Sequence, residues 1–165
     1  MAAVVSRRTV ANAVATRLVG VTQATGYYGQ IGRPLPGQTL VSAGGTIPDD
    51  PPAKDPTNGD MRVRAYFVLY PGAGGPGPDA DLADENVDLT ISLPVTAVAG
   101  DVEDLLALID RITGRVLRWT PTIPGLACGR IRFPVGYEPG PLLVDDQMKP
   151  ERLYVRLPFQ ITATT

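Results

Sequence analysis

A chain of 165 residues has the length of one domain and can bury roughly 70% of the surface its unfolded form exposes. With 44% apolar residues, 19% charged residues and a net charge of −2, it reads as globular. These values argue against a nucleic-acid tail, a membrane-surface protein or an acidic solvating domain. Histidine is absent and Cys128 is the single cysteine. That removes the commonest general base and metal ligand, the Ser-His and Cys-His nucleophile pairs, a cysteine zinc site and any internal disulfide. No apolar run approaches the ~20 residues of a membrane helix, and the N-terminus has no signal-peptide stretch. The expectation is a soluble, intracellular protein without a membrane partner.

In chain order, Ser6 to Thr25 reads as a helix. Val10, Ala11, Val14, Ala15, Leu18 and Val19 share one face, and Gly26 supplies the stop. Tyr27 and Tyr28 follow at its exit, a place for core-edge packing. Residues 32–60 hold Pro34, Pro36, Pro48, Pro51, Pro52 and Pro56, which disfavour any central strand or helix and mark an extended arm.

Met61 to Tyr70 reads as a strand with Met61, Val63, Ala65, Phe67 and Leu69 on one face and Arg62, Arg64 and Tyr66 on the other. A second Gly/Pro arm begins at Pro71 and runs into the acidic stretch Asp79, Asp81, Asp84, Glu85 and Asp88. Val87, Leu89, Ile91, Leu93 and Val95 then alternate as the partner strand of a hairpin with an oversized loop. Pro94 points to an edge or a bulge.

Asp101 opens a second helix, with Glu103 and Asp104 in its first turn and Arg111, Arg115 and Arg118 toward its end, as the dipole prefers. Its apolar stripe is Val102, Leu105, Leu106, Ile109, Ile112 and Val116, and it ends near Trp119. Cys128 to Val135 reads as a short edge strand broken by Pro134. Glu151 to Ala163 alternates clearly, with Leu153, Val155, Leu157, Phe159 and Ile161 inward and Arg152, Tyr154, Arg156 and Gln160 outward. The expected fold is a single α+β domain over 1–165. It has a mostly antiparallel sheet of about four strands packed by two helices, with long Pro/Gly-rich loop arms at 32–60 and 71–86.

No residue pattern supports a catalytic, metal or cofactor site. Cys128 has Arg130 and Arg132 beside it in sequence, which lower a thiol pKa when they face it, but a small half-buried thiol is the simpler reading. The acidic run lacks the spacing of a calcium loop, and G-A-G-G-P-G-P lacks the Lys-Ser/Thr ending and following helix of a phosphate loop. Asp145 and Asp146 are adjacent and so point apart.

The thirteen arginines against two lysines, Lys54 and Lys149, suit fixed ion pairs and interfaces, although a high-GC genome produces the same bias. The outward residues Arg62, Arg64, Tyr66, Arg152, Tyr154 and Arg156 form either a solvated face or a subunit boundary. In the second case Asp79, Asp81, Asp84 and Glu85 are the candidate partners.

Five segments carry a resemblance: the helix Val10–Leu18, R-V-R-A-Y-F-V-L-Y, V-D-L-T-I-S-L-P-V, D-V-E-D-L-L-A-L-I-D-R-I and R-L-Y-V-R-L-P-F-Q-I-T. In element order, size and loop style the chain resembles the tail terminator (tail completion) proteins of long-tailed bacteriophages. Its composition is similar to that of phages of high-GC actinobacterial hosts.

The resemblance implies a non-catalytic virion protein, assembled in the host cytoplasm and placed in the tail at the neck. There a homo-hexameric ring caps the tail tube, ends its polymerisation and offers head–tail connector proteins their joining surface. The tail tube protein is then a partner, and DNA passes through the ring without sequence-specific binding. Another head–tail connector or minor tail protein is the alternative, followed by a small enzyme or ligand-binding domain using Cys128 or the acidic loop. The proline-rich insertion after the first helix is longer than the simplest members of that family need.

Overall fold

A computed structural model describes residues 5–28, 33–34, 51–73, 75–76 and 88–165. Helix α1 spans Arg7–Leu18 and is followed by the short strands β1 (Thr25–Tyr28) and β2 (Arg33–Pro34). Next come β3 (Ala53–Asp55), a 3-10 turn at Pro56–Asn58, β4 (Asp60–Val63), β5 (Tyr66–Leu69) and β6 (Gly75–Pro76). The second half holds β7 (Asp88–Ala99), α2 (Val102–Val116), β8 (Ala127–Cys128), β9 (Leu143–Asp145) and β10 (Arg152–Thr164).

The fold is α+β, with two helices and a mostly antiparallel sheet. Its spine is the ladder of β7 with β10, which runs unbroken from Leu153 opposite Ala99 to Thr164 opposite Asp88. Among the described residues the sheet order is β2-β1-β5-β7-β10-β8, with β6 also on β7 and β9 also on β10. Strand β1 is parallel to β5, an exception in a sheet whose other pairings are antiparallel. The short flanking strands raise the count above the four that periodicity suggests. Two or three residues suffice to pair a backbone edge but are too few to alternate visibly.

Pro94 lies in the middle of this sheet and not at an edge. It stands opposite Pro158, and its carbonyl accepts the Tyr70 N–H at 2.9 Å. Its backbone polar side therefore faces the end of β5, and the missing N–H costs the β10 ladder no bond.

Helix α1 is capped by the Ser6 hydroxyl, which accepts the Thr9 N–H at 3.2 Å, and it buries Val10, Ala11, Val14, Ala15 and Leu18. It ends at Leu18 rather than Thr25. Gly20 follows in the turn, where a Cβ would run into the Arg115 guanidinium, and Gln23 at φ 58° turns the chain into β1. Gly26, expected to stop the helix, is a strand residue paired with Phe67.

In α2 the Asp101 carboxylate accepts the Asp104 N–H at 2.8 Å, and Leu105, Leu108, Ile112 and Val116 face the core. Each fully buried aliphatic side chain of this kind contributes about 1.5–3 kcal/mol. Val102 and Leu106, expected in the same stripe, are exposed. A step of about 100° per residue carries Leu106 off the arc of Leu105 and Leu108.

The predicted strand Met61–Tyr70 is broken at Arg64 and Ala65. Strand β4 leaves the main sheet to pair with β3, and its end is held by the Gly100 N–H donating to the Val63 carbonyl at 3.1 Å. At Gly100 that approach leaves no room for a Cβ. The break reverses the alternation. Ala65, Phe67 and Leu69 enter the main core beneath the helices, whereas Val63 joins Tyr27, Tyr66, Val68 and Val98 in a second buried cluster, and Met61 is exposed.

In the last third, Cys128–Val135 is not a continuous strand. Only Ala127–Cys128 pairs with β10, and Arg132 forms one bridge to Gln160 while Phe133 stacks on Phe159. Of the two predicted arms, 53–60 folds into the β3–β4 hairpin, Arg33–Pro34 pairs with β1 and Gly75–Pro76 pairs with β7. The remainder, at 32, 35–50, 74 and 77–86, lies outside the described residues.

Candidate functional site

The residues expected to form one outward face separate into three environments. Arg62 belongs to an ion-pair cluster at the N-terminus of α2. Its guanidinium meets Asp60 at 2.8 Å and Asp101 at 2.9 Å, while Lys54 meets Asp104 at 2.7 Å and Asp101 at 3.5 Å. The hydrogen bond from Arg62 holds the Asp60 carboxyl down at about 2. The Asp104 N–H, followed by the Lys54 and Arg62 charges, lowers Asp101, and the bond to Asp104 raises Lys54. This cluster ties the β3–β4 hairpin to the helix, so the acids that Arg62 meets are in its own chain.

Tyr66 and Arg152 are not on an outer face. They are 1% and 2% exposed, and the Arg152 Nη1 donates to the Tyr66 hydroxyl at 3.1 Å. Burial pushes the Tyr66 phenol up to about 12, against the opposing pull of Arg152. Tyr27 packs edge-on against Tyr66 at 5.9 Å, and half-buried Tyr154 lies against the same cluster. Tyr27 at the exit of α1 and Arg152 of β10 thus help build the second core, whereas Tyr28 packs against the main one.

Arg64 and Arg156 are exposed. Arg64 lines a cleft of about 280 Å³ with Arg111, Lys54 and Gln23. The Arg111 Nε there is buried without a hydrogen-bond partner, a condition that costs about 1–3 kcal/mol. Gln23 holds a left-handed backbone that costs a non-glycine residue about 1–2 kcal/mol. Asp79, Asp81, Asp84 and Glu85, the proposed acidic partners, lie outside the described residues.

Burial raises the Cys128 thiol, the opposite of activation by neighbouring cations. Its sequence neighbours Arg130 and Arg132, together with Arg118, line an open cleft of about 590 Å³ of which Cys128 is not a wall. Asp145 accepts the N–H groups of Gln147 and Met148, and Asp146 accepts from the Gln147 side chain, so the adjacent carboxylates serve a turn. Among the described residues no group of three or more His, Cys, Asp or Glu is placed to hold a metal. No described helix is long and apolar enough to cross a membrane.

A different surface feature emerges from packing. On α2, Val102 and Leu106 are 51% and 49% exposed, and on β9 Leu143 and Val144 are 48% and 61% exposed. The register brings them to one end of the fold. Leu153 lies between Ala99 of β7 and Val144 of β9, and Ala99 precedes the first turn of α2 by two residues. Val144 stands opposite Leu153 on the helix side of the sheet, whereas Leu143 stands opposite Tyr154 on the other side, so the exposed apolar residues divide between the two faces. Helical spacing hints at the α2 pair, because Val102 and Leu106 stand four apart and off the main stripe. The β9 half has no such signal, since a three-residue strand shows no period.

No protein-family model matches the chain, and no curated protein matches it in sequence.

Proposed function

We propose that this chain is a non-catalytic virion structural protein, a tail terminator of a long-tailed bacteriophage. In this reading six copies close into a ring on the last ring of the tail tube. The ring ends tube polymerisation and offers head–tail connector proteins their docking surface, and DNA passes through without sequence-specific contact. The observation that carries the reading is the exposed apolar pair Val102 and Leu106 on an otherwise well-packed α+β layer, with Val144 exposed on the same side of the sheet. Exposed apolar residues four apart on one helix face form a small interaction surface. A ring needs such a surface on one side of each subunit, meeting a different surface on the next. The element order and loop style that resemble the terminator family supply the rest.

The experiment is an infection in which the gene is removed. Tails of uncontrolled length beside unjoined, DNA-filled heads are expected in electron micrographs. Tails of normal length that merely fail to join heads would replace the terminator with a connector protein. Normal virions would remove both.

A further inference from the structure

The cleft between α2 and the β3–β5 region carries more positive charge than its surroundings neutralise. Lys54, Arg64 and Arg111 line it against one carboxylate, Asp104. Lys54 already holds Asp104 at 2.7 Å, which leaves the two guanidinium groups as the excess. Neither Arg64 nor Arg111 forms an ion pair among the described residues. The Arg111 Nε is buried with no acceptor, so part of its donor capacity is withdrawn from water and left unused. Gln23 lines the same cleft on a left-handed backbone of φ 58°, and strain of this kind gathers at ligand clamps. At about 280 Å³ the cleft falls below the roughly 300–1,000 Å³ of ordinary small-molecule sites. It is suited to a single small group.

We propose that this cleft binds a compact oxyanion, a carboxylate or phosphate group, between the guanidinium groups of Arg64 and Arg111. Guanidinium presents planar, paired N–H donors that match two oxygens of either group. Such an anion supplies the acceptor that the Arg111 Nε lacks and balances the excess charge. Lys54 stays with Asp104 and shields the incoming anion from that carboxylate. The Gln23 side chain stands at the wall as a further donor. The site is independent of the ring assembly proposed above, because all of its lining groups come from one copy.

The test follows the Arg Nε–H signals of the full chain by NMR while inorganic phosphate, or separately acetate, replaces chloride at constant ionic strength. The Arg111 signal is expected to move saturably and to exchange more slowly with water. Arg64→Gln and Arg111→Gln should each weaken the apparent affinity about tenfold or more, in line with loss of a charge-assisted bond. Arg8→Gln, on the exposed face of α1, should leave it unchanged. Tighter phosphate binding identifies a phosphate group as the natural ligand, and tighter acetate binding identifies a carboxylate. Absence of a saturable response to both anions overturns the site, as does unchanged affinity in Arg64→Gln, whose exposed position keeps the fold intact.

Discussion

The two flanks of α2 are built from the same helix and end differently. On the side toward α1 the packing is closed. Arg17 donates to the Arg115 carbonyl at 2.9 Å, Arg115 donates to the Arg17 carbonyl at 3.0 Å, and the Arg17 guanidinium lies 5.1 Å from the centre of the Trp119 ring. Each arginine satisfies a carbonyl near the other helix's C-terminus, where the dipole also favours a cation. Elsewhere on the helix Val102 and Leu106 stay about half exposed, with Val102 beside the Lys54 and Arg62 ion-pair cluster. One flank is finished within the chain; the other leaves apolar side chains exposed. Apolar character alone does not place a residue in the core. What distinguishes Leu106 from Leu105 and Leu108 is which neighbour the fold sets above it.

The comparison is tested most strongly by truncating each side of the helix. Leu108→Ala should cost about 2–5 kcal/mol in urea unfolding, through lost burial and the cavity left behind. Leu106→Ala should stay within about 0.5 kcal/mol, as an exposed site does. Equal losses would mean that Leu106 is covered and would break the distinction.

Next in size is the second core. Tyr66→Phe removes the acceptor for the Arg152 Nη1 and should cost about 1–3 kcal/mol. The same phenol gives a pH signature. Its folded pKa is about 12 against the ordinary phenol value of 10.0, so the unfolded state loses the proton first. Stability should fall as pH rises from 10 toward 12, and the Phe variant should lack that part of the fall.

A smaller effect is expected at the helix cap. Asp101→Ala removes the cap on the Asp104 N–H and the contacts to Arg62 and Lys54, and should cost about 0.5–2 kcal/mol. The smallest comes from Asp60, whose folded pKa of about 2 lies below the ordinary carboxyl value of 3.8. Its contribution is present above the higher value and is lost as pH falls toward 2. Urea midpoints of Asp60→Asn should show a slightly flatter acid limb than those of the unaltered chain.

The long periodic elements were legible in the sequence. The β7–β10 ladder and α2 follow from alternation over Leu89–Val95 and Leu153–Ile161 and from the Leu105, Leu108 and Ile112 repeat. Elements that exist through pairing were not. Strand β1 reads as the end and exit of a helix, with Gly26 as its stop, and β9 is too short to carry a period. Tyr66 does lie opposite Ala65, Phe67 and Leu69, but its face is buried in the second core, and the break at Arg64 and Ala65 puts Val63 on that face too. Of the candidate contact residues, Arg62 and Arg152 found partners within the chain, since Asp60 is two positions away and Tyr66 lies across the sheet. The placing of exposed Val144 on the helix side depends on the register of β9 with Leu153, which composition does not encode.

In the proposed ring the exposed Val102 and Leu106 meet the next subunit, and the molar mass of the full chain in solution tests that contact. Light scattering with negative-stain imaging should give a closed six-fold ring, and a Val102→Glu, Leu106→Glu double variant should give folded monomers. A wild-type chain that stays monomeric at high concentration, or a ring that survives the double variant, would contradict the account.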